Sequence, residues 1–201
     1  MKKMSAIDRI LLLLAGLLAA YQIVFGIEGA PALSIWAYTL AFGTLLLAGL
    51  LLIIFGFEIL DNPLVTVVST MLPLSLSLGL VWEHWPAWRN AYLVFVVVGF
   101  IAVAFTRFYR PGKAAVITLA VVHSVAGLLI FLLPIYMSLR GLAPAGFVFV
   151  GIGGALIGVG GLLLSFLKMG KPVISRQMIL TILPLLLLLM TAAYVVGFYL
   201  D

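Results

Sequence analysis

The chain has 201 residues, 66% of them apolar and only 8% charged, with a formal charge of +5. A water-soluble domain carries about 25% charged residues, so no soluble fold of this size could cover so much apolar side chain, and the bilayer must solvate most of it. At roughly 20 residues per span, the length admits about seven helices and leaves no room for a separate soluble domain. There is no cysteine, which excludes disulfides, thiolate nucleophiles, iron–sulfur ligation and cysteine-based zinc sites.

Seven apolar runs follow in chain order: 7–27, 33–59, 64–82, 91–105, 114–139, 143–167 and 177–200. Most are long enough to cross about 30 Å of hydrocarbon at about 1.5 Å per residue, and none shows the period-two alternation of a barrel strand. The expected fold is therefore an all-α, polytopic transmembrane bundle forming a single domain. The breaks carry Gly, Pro or charge: Glu28 to Pro31, Asp61 to Pro63, Glu83 to Pro86, Arg107 to Lys113, Arg140 to Pro144 and Lys168 to Arg176. The basic start from Met1 to Arg9 runs into an apolar stretch reaching Ile27 with no small-residue cleavage site, so it reads as the first span and not as a cleaved leader.

With the N-terminus in the cytoplasm, Lys2, Lys3, Arg9, Arg107, Arg110, Lys113, Lys168, Lys171 and Arg176 all lie inside, and only Arg89 and Arg140 outside. That bias sets the orientation, puts the C-terminus outside and explains the basic charge without nucleic acid. Trp82, Trp85 and Trp88 then sit at the outer headgroup level as interfacial anchors. The expected location is the plasma (inner) membrane.

Spans one to three and five to seven share one orientation, with span four as a linker. This 3+1+3 parallel layout occurs in small solute carriers. Sequence support is thin: a shift of 109 residues superposes Gly49 on Gly158, Phe57 on Phe166 and Pro63 on Pro172, and a further slip of two brings Pro73 onto Pro184.

Within the spans, away from their ends, no Asp, Glu, Lys or Arg occurs. Ion-coupled carriers and voltage sensors keep such groups in the membrane because they use them, so that machinery is not expected; nor is a retinal protein, which needs a lysine in the last span. His123 is the one ionisable residue well inside a span, about 14 Å beyond Ala114 by helix rise. It reads either as a substrate contact or as an imidazole bonded to a neighbouring helix. His84 lies too far from it in depth for a bis-histidine haem.

Span three carries the most polar face, with Thr66, Ser69, Thr70, Pro73, Ser77 and His84 within about one third of its circumference. Pro73 adds a mid-membrane bend. Span seven repeats the idea with Gln177, Thr181, Pro184 and Thr191, and span five aligns His123, Gly127 and Pro134. The expected substrate path is accordingly Ser69, Thr70, Pro73, Ser77, His123, Thr181 and Pro184, weighed against hydroxyls that only glue helices together. On span six, Gly151, Gly154, Gly158 and Gly161 form one small-residue stripe, and Gly153 and Gly160 part of an opposed one. A helix packed on both sides follows.

Glu83, His84 and Arg89 read as solvated residues at the membrane edge, not as a catalytic set, and no complete catalytic constellation is present. The expectation is a small carrier or facilitator for a neutral or weakly polar solute or a lipid, without cofactor or metal and not an enzyme. The alternative is a non-catalytic subunit anchoring a larger membrane complex. The expected partners are the lipid bilayer and either further copies of the chain or other membrane subunits.

Overall fold

The computed structural model describes residues 3–168 and 174–200. It contains seven helices long and apolar enough to cross a membrane, and no strand occurs among the described residues. We label them α1 (Ala6–Phe25), α2 (Ala32–Phe55), α3 (Pro63–His84), α4 (Arg89–Tyr109), α5 (Lys113–Leu139), α6 (Val148–Lys168) and α7 (Arg176–Tyr199).

Local chemistry sets the ends. Ser5 and Asp8 cap α1 reciprocally, each side chain accepting from the other's backbone N–H at 3.1 and 2.9 Å, the capping-box arrangement. Gly56 ends α2 at φ 71°, a left-handed conformation that glycine adopts without penalty. The expected second span therefore stops short as α-helix and continues as a 3-10 segment, Gly56–Asp61. Glu58 falls in that segment and is exposed. Asn62 accepts from the Leu64 N–H and Pro63 occupies the first turn of α3, where its missing N–H costs nothing.

Six helices close a ring. Neighbours pack in the order α1, α2, α3, α5, α6, α7 and back to α1, while α4 lies outside against α3 and α5. Burial follows this arrangement: 72% of the most apolar stretch of α3 is buried, against 17% in α4. Lipid-facing positions such as Leu17, Trp36, Val94, Val98, Ile101 and Leu162 are exposed, as they must be where the solvent is hydrocarbon. We name the two ends of the bundle by residues they carry: the Glu83 end, with the α1–α2, α3–α4 and α5–α6 connections, and the Arg107 end, with the N-terminus and the α2–α3 and α4–α5 connections.

At the Arg107 end, Leu12, Leu52, Phe57, Leu180 and Leu183 form a compact core. Arg176 at the start of α7 donates to Asp61 at 2.9 Å across the ring mouth. Both side chains are substantially exposed, so a double-mutant cycle should return about 0.2–1 kcal/mol for this pair. Lys171 lies outside the described residues.

Candidate functional site

The centre of the ring is filled by side chains. Phe42, Leu76, Leu80, Ile130, Phe147, Met190 and Tyr194 are fully buried there. Aromatic rings bridge from α2 to α7 across the middle, although α1 separates those helices in the ring. Tyr38 meets Phe198 with centroids 4.7 Å apart, Phe42 meets Tyr194 edge-on at 6.3 Å, and Phe42 and Phe147 each lie 6.2 Å from Phe198. These are favourable aromatic separations. Sequence reasoning missed this cluster because aromatics inside apolar runs look like ordinary core. Its signal was nonetheless present: Tyr38 with Phe42, and Tyr194 with Phe198, are each four residues apart on one helix face.

The expected polar face of α3 does turn inward, but from Leu72 to Val81 every residue of the helix is buried, so no single face stands out there. Its hydroxyls serve its own backbone. Ser69 and Thr70 donate to the Thr66 carbonyl at 3.0 and 2.8 Å, and Ser77 to the Pro73 carbonyl at 2.6 Å. Such back-bonding satisfies a hydroxyl where water is absent. Two links cross to these hydroxyls from α4: Arg107 donates to Thr66 Oγ1 at 3.3 Å, and Tyr92 donates to Ser77 Oγ at 2.8 Å in a fully buried position. Tyr92→Phe should lower stability by about 0.6 kcal/mol, and by no more than about 1.7, read as a modest fall in the melting midpoint in detergent.

Pro73 and Pro184 are buried in mid-helix. Thr191 is fully buried, whereas Gln177 and Thr181 are exposed and Thr181 donates to the Gln177 carbonyl at 2.8 Å. Thr181 thus turns away from the centre, leaving Pro184 and Thr191 as the part of the α7 stripe that faces it. His123 is half-buried on α5, and its Nδ1 is buried without a hydrogen-bond partner. The path as expected is not brought together: α3 and α5 are neighbours, while α7 packs on α6 and α1 across the ring.

The most isolated polar atom is the Tyr194 hydroxyl, fully buried at the ring centre without a hydrogen-bond partner. Its ring lies over Gly153 of α6, where a Cβ would come within 2.5 Å of it. Gly160 likewise meets Leu186 of α7, and Gly151 and Gly154 meet the α5 segment Ile130–Phe131 and Ile135. Gly158 and Gly161 are half-buried, and a Cβ at either would meet nothing within 4 Å.

A second polar group occupies the Glu83 end. The expectation of solvated side chains does not hold there: those of Glu83 and His84 are only 17% and 13% exposed. The first turns of α2 and the short 3-10 segment Ala145–Phe147 cover them. Tyr38 donates to Glu83 Oε2 at 2.9 Å, and His84 Nε2 lies 4.0 Å from that same oxygen. The His84 ring packs 4.8 Å from Phe147. Arg89 bends over the Trp82 ring, with its Nε donating to the Trp82 carbonyl. A cleft with room for about one water (about 10 Å³) opens on the other side of Tyr38, between Gln22, Gly26, Ile27, Ile35 and Thr39.

Among the described residues no group of three or more His, Cys, Asp or Glu side chains could hold a metal ion. Compared with known proteins, the chain matches no family model, no curated protein and no solved structure.

Proposed function

We propose that this multi-pass membrane protein is a small carrier or facilitator for a neutral or weakly polar solute or a lipid, with its central path closed in this conformation. The observation that carries the reading is the Tyr194 hydroxyl, held at the ring centre with nothing to bond. Leaving such a group unsatisfied costs about 1–3 kcal/mol, and a solute or water passing the centre would supply the missing partner.

The layout supports it. Exchanging α1, α2 and α3 for α5, α6 and α7 maps every ring contact onto another: α1–α2 onto α5–α6, α2–α3 onto α6–α7, and α3–α5 onto α7–α1. That leaves α4 as the linker of a 3+1+3 parallel repeat. Pro73 and Pro184 fall in mid-membrane on corresponding helices. Near the Glu83 end each half also has a glycine of its third helix against the start of its second. Gly79 lies against Tyr38, with its carbonyl accepting from Ser34, and Gly197 lies against Val150 and Phe149.

The bias of basic residues puts the Arg107 end and the N-terminus in the cytoplasm and the C-terminus outside, with the plasma membrane as the location. Flux of small uncharged polyols and amides into proteoliposomes, read by light scattering, tests the reading. Shrinkage and reswelling faster than in protein-free vesicles is the expected result, and rates equal to theirs across the panel would overturn it.

The second reading, a non-catalytic subunit of a larger membrane complex, is favoured by the filled ring centre and by the open space beside Gly158 and Gly161 of α6. Purification in mild detergent separates the two: a stable stoichiometric complex with other chains favours the subunit, and a monodisperse isolated protein or homo-oligomer the carrier.

A further inference from the structure

We propose that the α4–α5 turn at the Arg107 end is a binding site for an anionic phospholipid, with Arg110 and Lys113 holding its phosphodiester and Arg107 adding charge behind them. The site is independent of the carrier reading, since the lipid sits against the outside of the bundle and not in its centre.

Its basis is the distribution of charge at that end. The carboxylates Asp8, Glu58 and Asp61 all belong to the start of α1 and the α2–α3 connection, and Asp61 is paired with Arg176. The α4–α5 connection carries none. Among the described residues no carboxylate forms an ion pair with Arg107, Arg110 or Lys113. The bias that orients a membrane protein calls for cations in its loops, but not for cations grouped away from every acid. Arg107 is half-buried and donates to Thr66 Oγ1 at 3.3 Å, a neutral partner that leaves its charge uncompensated. Arg110 and Lys113 are exposed.

The turn brings these charges to one place. Only Arg110, Pro111 and Gly112 separate α4 from α5, and Gly112 takes φ 114°, which lets the chain reverse at once. The Cα atoms of Arg110 and Lys113 therefore stand at most about 11 Å apart, a span that two long side chains can close around one phosphate. The arginine fork pairs with phosphate oxygens two at a time, and the lysine adds a point charge. The surface below selects a lipid over a free anion. Lys113 heads a stripe of α5 in which Ile117, Val121 and Leu128 fall within about 80° of it around the axis, and these are 62%, 54% and 55% exposed. On the α4 side Phe108 and Tyr109 are exposed beside the turn, at the level where aromatic rings meet headgroups. A diacyl lipid whose chains lie along these apolar faces places its phosphate at the cations. A soluble anion gains nothing from them.

The test follows the melting midpoint of the whole purified chain in dodecylmaltoside micelles as phosphatidylglycerol, or phosphatidylcholine with the same chains, is added at constant ionic strength. Phosphatidylglycerol is expected to raise the midpoint saturably. Phosphatidylcholine and inorganic phosphate are expected to leave it unchanged. Each cation near a lipid surface favours an anionic headgroup about fivefold, so the double variant Arg110→Gln/Lys113→Gln is expected to need about 25 times the mole fraction of phosphatidylglycerol for half-saturation. Arg110→Lys/Lys113→Arg keeps both charges and should respond as the unaltered chain does. Lys3→Gln/Arg9→Gln removes the same charge from the same end, in the segment that holds Asp8, and should also leave the response unchanged. A phosphatidylcholine or inorganic phosphate response equal to that of phosphatidylglycerol would overturn the proposal, as would no response to phosphatidylglycerol. So would an unweakened response in Arg110→Gln/Lys113→Gln, or an equal loss in Lys3→Gln/Arg9→Gln. If a variant fails to fold, native mass spectrometry of the unaltered chain from mixed micelles decides: phosphatidylglycerol retained in preference to phosphatidylcholine supports the site, and equal retention overturns it.

Discussion

Gly154→Val is expected to be among the most damaging single substitutions in the chain. A Cβ at Gly154 would stand 2.8 Å from the Ile130 carbonyl carbon and the Phe131 nitrogen, and the neighbouring Gly151 meets the Phe131 carbonyl oxygen at 2.7 Å. The obstacle is the backbone of α5, which cannot swing aside as a side-chain tip can. Overpacking typically costs about 1–3 kcal/mol, and a backbone clash belongs at the top of that range or beyond it. In a bilayer the effect is sharper in kind, because lipid tails are as apolar as the side chains and helix association rests on close packing. Gly158→Val supplies the matched control. It adds the same isopropyl side chain to the same helix one turn away, where nothing lies within 4 Å of the new Cβ, and it should shift the melting midpoint little. A Gly154→Val protein as stable and monodisperse as Gly158→Val would show that α5 and α6 do not approach at this glycine.

The same contrast marks how far the sequence could be read. The seven spans were legible because the bilayer leaves few solutions: each run must be helical, and each break must carry the residues that let a helix stop. Most helix ends fell within two residues of the expected bounds; α2 stops four residues early at Gly56, where a left-handed glycine converts the last turn to 3-10 helix, α4 runs four residues further, and α6 starts five residues late after the 3-10 segment Ala145–Phe147. Periodicity is weaker for the site because a helical wheel gives direction around the axis and says nothing of what stands there. Thr181 and Thr191 share one side of α7 at 100° per residue, yet Thr181 is exposed while Thr191, further along the helix, is fully buried. Gly151 and Gly158 share a stripe, yet one meets α5 and the other meets nothing. The aromatic bridge from α2 to α7 depends on which helices face each other across the ring, information carried by tertiary arrangement and by no local pattern.

Tyr194→Phe should separate stability from transport. The substitution removes one oxygen and keeps the ring, so the edge-on contact with Phe42 and the seat over Gly153 persist. Because the hydroxyl has no partner in the closed centre, its loss relieves an unsatisfied polar group, and stability should rise by about 1–3 kcal/mol. A protein that keeps such a group against its own stability does so where function requires it. If the hydroxyl meets a passing solute, flux in proteoliposomes should fall as the midpoint rises. Loss of one neutral hydrogen bond, about 0.5–1.5 kcal/mol, corresponds to a fall of about two- to tenfold. Tyr194→Ala should behave differently, since emptying a ring's volume from a packed core costs about 3–5 kcal/mol and also unseats Phe42 and Phe198. A Tyr194→Phe protein that gains stability and keeps full flux would remove the hydroxyl from the path and leave Tyr194 as a packing residue. One that loses stability would mean the hydroxyl has a partner in the membrane, an ordered water being the first to seek.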